Sequence, residues 1–309
     1  MASTLETCAN TAGRPGSPSA GDTLYQIDTK QIITWDGSAW RLYESDGTAV
    51  NDADITDLNP HLWLDPMHSA PFFTDSGKGT AVTADGNRVG CFADRSGNGF
   101  DFVQATAANK PILALNQGTA NRKGLVFSYD DLSFTGTSDS EIDSDELTCF
   151  WVWRLDTESQ DYVIEGTVNG NEPRMRVSSA STTQSKYDWR NFGDSQGGTE
   201  GPVVTSSALD KEKFQATHIY CLKTNPTANR TYNYYNGGAD IAGSTAAPGA
   251  TGKFLNDGYA LKVLYAHNNS APNWLFEFLV FDASLSDANV NKVNSYLGNK
   301  YGITVADVS

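Results

Sequence analysis

The run Leu147-Thr148-Cys149-Phe150-Trp151-Val152-Trp153 carries apolar side chains on both faces of whatever element it forms. It has the length of a strand rather than a helix and is rich in β-formers. Successive strand side chains point to opposite faces, so this strand must be covered on both. It reads as a central strand of a β-sandwich. Further strands are expected at Leu62–Asp65, Gly124–Phe127, Tyr162–Ile164, Met175–Val177, Ala216–Leu222, Thr231–Tyr235, Ala260–Tyr265 and Trp274–Phe281. Between them lie many of the 28 glycines, and bulky strand formers separated by turn formers indicate an all-β protein. At 309 residues the chain can bury a core without disulfides or metals. One helix is expected, and it comes last: Ser286 caps it, Val290, Val293, Tyr296 and Leu297 recur at helical spacing, and Gly302 stops it.

The first 44 residues differ from the rest. Residues 1–20 are Ser, Thr, Ala and Gly with two prolines, an extended arm that needs a partner to order it. Residues 21–44 read as a three-strand meander with an Asp36-Gly37 turn, too small to stand alone. Its aromatics, Tyr25, Trp35, Trp40 and Tyr43, are the expected anchoring residues. The domain plan is therefore an arm, an anchoring meander and a sandwich over residues 60–303.

The formal charge of −15, from 37 acids and 22 bases, excludes several partners. No cluster of Lys and Arg in the sequence neutralises a phosphate backbone, so neither nucleic acid nor an anionic membrane is expected. No apolar run is long enough to span a bilayer. The opening Met1–Glu6 lacks the basic and apolar regions of a secretory leader, which suits assembly in a bacterial cytoplasm. Cys8, Cys91, Cys149 and Cys221 show no metal spacing and are expected as free thiols.

Two resemblances follow. Gly21-Asp22 and Trp35-Asp36-Gly37-Ser38-Ala39-Trp40 are similar to a module of phage tail-fibre and virion proteins. Leu62-Trp63-Leu64-Asp65, Asp94-Arg95-Ser96-Gly97-Asn98-Gly99, Gly124–Phe127, Tyr235-Asn236-Gly237 and the stretch from Glu277 to Gly302 resemble, in that order, the concanavalin A-like or laminin-G-type jelly rolls. The second resemblance implies an antiparallel two-sheet sandwich that binds glycans or proteins, sometimes with calcium, and in a minority of cases hydrolyses polysaccharide.

Glu141-Ile142-Asp143-Ser144-Asp145-Glu146 is similar to the catalytic motif of laminarinase-like glycoside hydrolases. Here, however, it reads as a solvated acidic loop, because Ser144 and Glu146 stand where apolar residues belong. The four histidines show no zinc spacing, and His218 reads as a satisfied strand residue. No enzyme activity and no obligatory cofactor are expected. A Ca²⁺ ion is the one candidate, on Asp94, Asn98 and Asp101, although tight-turn hydrogen bonding explains the same residues. Candidate glycan contacts are Tyr187, Trp189 and Asn191 in a polar loop, and His267, Asn268 and Asn269. The expected role is a virion surface component, a head decoration or short tail-fibre part. It joins capsid or tail proteins through residues 1–44, forms a possible homo-oligomer and displays a lectin-like sandwich to host glycans. The alternative is a free bacterial lectin or laminarinase-like hydrolase.

Overall fold

The computed structural model describes residues 6–8, 14–19, 22–26, 31–35, 40–43, 49–117, 122–128, 130–135, 142–143, 146–155, 161–166, 174–179, 184–190, 203–205, 209–225, 230–241, 253–254, 260–265 and 273–308. Two antiparallel sheets form the body. The inner sheet runs Ile112–Gln117, Arg122–Phe127, Asn273–Phe281, Thr148–Leu155, His218–Asn225 and Arg230–Tyr235, with Leu62–Leu64 on the far half of Asn273–Phe281. The large sheet runs Val203–Thr205, Gln184–Arg190, Arg174–Ser179, Asp161–Gly166, Ala260–Tyr265, Leu132–Thr135, Phe102–Val103, Cys91–Phe92 and Phe72–Phe73. Leu209–Asp210 also pairs with Gln184–Arg190. The expected all-β antiparallel sandwich with a C-terminal helix is what the chain forms.

The inner sheet is covered twice. Between the sheets lies a core that includes Leu64, Phe92, Phe102, Leu132, Trp151, Trp153, Leu275 and Phe278. On the inner sheet's other face Phe150, Val152, Ile219, Phe276, Leu279 and Phe281 pack against Val290, Val293, Leu297 and Tyr301 of the helix Asp287–Tyr301. This second core is why Thr148–Leu155 is apolar on both faces: a two-sheet sandwich alone explains only one of them. The helix has the expected ends. Ser286 accepts from Asn289 N, and Gly302 takes the left-handed conformation, φ 68°.

Cys149 lies in the inter-sheet core and Cys221 in the helical core, so they stand on opposite faces of one sheet. Both are free and fully buried, and burial pushes both thiols up, away from the reactive thiolate. Fresh protein, denatured and alkylated, should therefore yield Cys91, Cys149 and Cys221 unlinked. A Cys149–Cys221 crosslinked peptide in its mass spectrum would contradict this placement.

The N-terminal region departs from the expected plan. Glu6–Cys8, inside the expected arm, is a strand parallel to Thr23–Gln26, so part of the arm belongs to the meander sheet. That sheet continues through Gln31–Trp35 and Trp40–Tyr43 to Ala49–Val50, and its last two strands run against the C-terminal helix. Asn51 then caps the short helix Asp52–Thr56 with a reciprocal capping box. The order through the molecule is meander, helix, inner sheet, large sheet.

Candidate functional site

Among the described residues the densest polar cluster lies under the C-terminal helix. Asn273–Phe281 slips register on Thr148–Leu155: Val152 faces Glu277 while Trp153 faces Leu275. This bulge turns both Phe276 and Glu277 to the helix side. The Glu277 carboxylate accepts from Trp63 Nε1 at 2.7 Å, Tyr301 OH at 2.7 Å and Lys300 Nζ at 2.7 Å. Lys300 also donates to Asp65 at 2.7 Å and to Tyr296 OH at 2.8 Å, which uses all three of its protons. Asp65 bonds Arg95, which reaches on to Asp52 at 2.6 Å and lies over the Trp63 ring at 4.1 Å. Burial raises the Glu277 carboxyl to about 7 against the pull of Lys300, whereas the charges of Glu277 and Asp65 overcome burial and hold Lys300 protonated. With Glu277 fully buried and its carboxylate and all three Lys300 protons engaged within the cluster, neither group is offered to a substrate. The cluster ties the short helix, the inner sheet and the long helix together.

The expected calcium residues share one turn, but their atoms are engaged. Asp94 accepts from the backbone N–H of Trp63, Ser96 and Phe100 and from Ser96 Oγ. Asp101 accepts from Asp94 N and pairs with Lys78 at 2.5 Å, while Asn98 Nδ2 donates to the His61 carbonyl. Among the described residues no group of three or more His, Cys, Asp or Glu is arranged to hold a metal. In the acidic run, Ile142 and Asp143 pair with Phe254 and Lys253 in a ladder separate from both large sheets, a short strand where a loop was expected. Glu146 is exposed, and Glu141, Ser144 and Asp145 lie outside the described residues.

The expected glycan residues are only partly brought together. Tyr187 and Trp189 lie on the strand Gln184–Arg190, not in a loop: Lys186, Asp188 and Arg190 alternate with them along that strand. Trp189 stands opposite Met175, which stands opposite Ile164, then Val263, then Leu132 of the inter-sheet core. These residues share the inward face. Asn191, His267, Asn268 and Asn269 lie outside the described residues. The anchoring aromatics divide. Trp35 and Trp40 are register partners on the face of buried Leu24, whereas Tyr25 and Tyr43 fall on the other face of the meander.

Sequence reasoning missed the other face of the large sheet. One unbroken row of register partners crosses it: Phe73, Cys91, Val103 and Ser133, then Lys262, Glu165, Arg174, Arg190 and Val203. Lys262, beside the core residue Leu261, is half-buried and pairs with Asp131 at 2.9 Å, so this row lies on the outer side. Arg176 and Asp188 are partners two residues along, and Ser178 and Lys186 two beyond them. The signal was the period-two alternation of Arg174-Met175-Arg176-Val177 and Lys186-Tyr187-Asp188-Trp189-Arg190.

No family model and no curated protein matches the chain. Solved structures do. The binding domain of Paraclostridial Mosquitocidal Protein 1 is similar at TM-score 0.50 and 11% identity, over 69% of this chain and 51% of that one. The botulinum neurotoxin serotype D ligand binding domain, solved with N-acetylneuraminic acid, is similar at TM-score 0.49 and 10% identity, over 79% and 53%. This chain spans about half the length of these structures. At 11% identity the first likeness is one of fold alone.

Proposed function

We propose that this protein is a non-enzymatic, lectin-like binding module that a virion carries on its surface, held by the N-terminal meander and presenting the large sheet to host glycans. The observation that carries this reading is the layer order. The meander lies against the C-terminal helix, and the helix against the inner sheet. The outer face of the large sheet is thus the side turned away from the anchor. The phage-like hairpin residues Trp35-Asp36-Gly37-Ser38-Ala39-Trp40 support a virion as the thing anchored to. A sheet with one side committed to a core and the other side polar suits binding rather than chemistry, which needs a dry pocket with a tuned carboxyl.

The test compares the full chain with a deletion of residues 1–44. Both should fold cooperatively, bind the same members of a printed glycan panel and release no reducing ends from them. Only the full chain should co-sediment with assembled particles. Normal assembly of the deletion would move the anchor elsewhere, and an unfolded sandwich would make the meander part of its core. Sugar release by the full chain would turn the reading to a hydrolase.

A further inference from the structure

After Gly302 the chain turns back along the C-terminal helix as an extended strap, residues 303–308. Its backbone is held at three places. Ile303 N donates to the Gly298 carbonyl, and Val308 N donates to Asn291 Oδ1. Between them Ala306 pairs in parallel with the turn at residues 236–238, through one hydrogen bond to the Asn236 carbonyl and one from Gly238 N. Val305 and Val308 press on the helical core, while Thr304, Ala306 and Asp307 are exposed. Two glycines make room for this segment. A side chain at Gly237 would overlap the Ala306 carbonyl, and one at Gly298 would meet the Ile303 oxygen at 2.8 Å and Val305 at 2.9 Å. Glycine weakens a helix interior relative to alanine, so Gly298 marks a groove built to take an extended chain.

The strap leaves one polar group of that groove unused. Asn294 lies between Asn291 and Gly298 on the helix, three residues from one and four from the other, and so on the strap's side. It is 1% exposed, yet neither its amide nitrogen nor its oxygen has a hydrogen-bond partner among the described residues. A buried carboxamide without partners is a cost that the strap leaves standing. Asn291 shows what such a side chain does here, since it takes a backbone N–H of the strap. A carboxamide carries a donor and an acceptor side by side, the complement of a peptide group.

We propose that this groove is a peptide-binding site for a partner protein, and that residues 303–308 are the resident segment that keeps it shut. The ligand class is an extended segment that adds to residues 236–238 by β-pairing. It carries β-branched apolar residues three apart, as Val305 and Val308 are, and offers a polar group to Asn294. The chain's own strap is tethered, so a free segment displaces it only by gaining a contact the strap lacks. A second copy's strap would leave Asn294 as unpaired as the resident one does, which favours a different partner. The groove lies on the helix side of the inner sheet, so this is a second surface, apart from the large sheet.

The experiment follows labelled peptides on the full chain by fluorescence polarisation. Val305→Asp with Val308→Asp should release the strap. A peptide of residues 303–308 should then bind about tenfold or more tightly than it binds wild type, whose groove is occupied. Gly237→Val in that background should abolish binding while the circular dichroism spectrum stays unchanged. Ala306→Pro, which deletes the N–H donated to Asn236, should release the strap more gently and give the same order. Peptides with Val305→Thr or Val308→Thr keep the shape and add a hydroxyl. At least one should bind more tightly than the parent peptide, and should lose that gain when Asn294→Leu is added to the released protein. Equal binding by wild type and released chain, or binding indifferent to Gly237→Val, overturns the groove. No gain from either threonine peptide overturns Asn294 as the contact that selects a partner. A wild-type dimer that dissociates when the strap is released would seat a second copy's strap there, and would overturn the partner as well.

Discussion

Lys300→Met should cost about 3–5 kcal/mol of stability, the range for removing one partner of a buried ion pair. The methionine has similar length, so the loss comes from what it strands. Glu277 and Asp65, both buried, lose a shared cation, and Tyr296 OH loses a donor. Asp65 keeps Arg95, but Glu277 keeps only Trp63 and Tyr301. Adding Glu277→Gln should return part of the loss, because a neutral amide there needs no counter-charge and its oxygen still accepts from Trp63 Nε1. The double variant is thus expected to be more stable than Lys300→Met alone by about 1 kcal/mol or more, a coupling typical of groups in one network. Urea unfolding followed by tryptophan fluorescence checks both. A loss below about 1 kcal/mol in Lys300→Met would show that the cluster does not hold the helix to the sheet.

That network explains what the sequence discloses and what it hides. The C-terminal helix was legible because its signals are local: a cap at Ser286, a helical apolar stripe and a glycine at Gly302. The strand Thr148–Leu155 was legible as doubly buried, yet its second cover lies far along the chain, and no local pattern names it. Glu277 was the available clue, one acid inside an eight-residue apolar run. A charge there demands a buried partner, but spacing alone does not choose Lys300. Strands of two residues, such as Phe72–Phe73, Cys91–Phe92 and Phe102–Val103, are too short to show a period and exist because neighbours pair with them. The candidate site was hidden for a related reason. Its cations come from strands that are adjacent only after folding, so no basic run appears in the sequence. Reading Tyr187 and Trp189 as loop aromatics gave weight to the apolar half of an alternating strand and passed over the charged half.

His218 should make acid stability the most changeable property of this protein. The ring is fully buried, stacked on Tyr235 at 5.1 Å and tilted against Trp153 at 5.3 Å, with Nδ1 2.9 Å from the Ala216 carbonyl. Burial holds its pKa down to about 4, against about 6.5 in an unfolded chain. Between those values the unfolded chain takes a proton that the folded one refuses, so stability present above pH 6.5 is lost as pH falls toward 4. The loss amounts to about 3 kcal/mol when complete. Glu277 acts with the opposite sign. Its carboxyl is raised by burial to about 7, so the folded state keeps a proton that the unfolded chain has released, and that contribution fades as pH rises from about 4.5 to 7. In the wild type the two slopes oppose each other over the shared window. His218→Phe fits among the same rings and gives up one hydrogen bond to the carbonyl of the exposed Ala216, so it should cost at most about 1 kcal/mol at pH 7.5. At pH 4.5 the variant should be more stable than the wild type, because the acid loss is gone and the Glu277 term remains. Chemical unfolding of both proteins from pH 4 to 8 should therefore give curves that cross. If the variant loses stability in acid as steeply as the wild type, the buried ring is not the group that titrates.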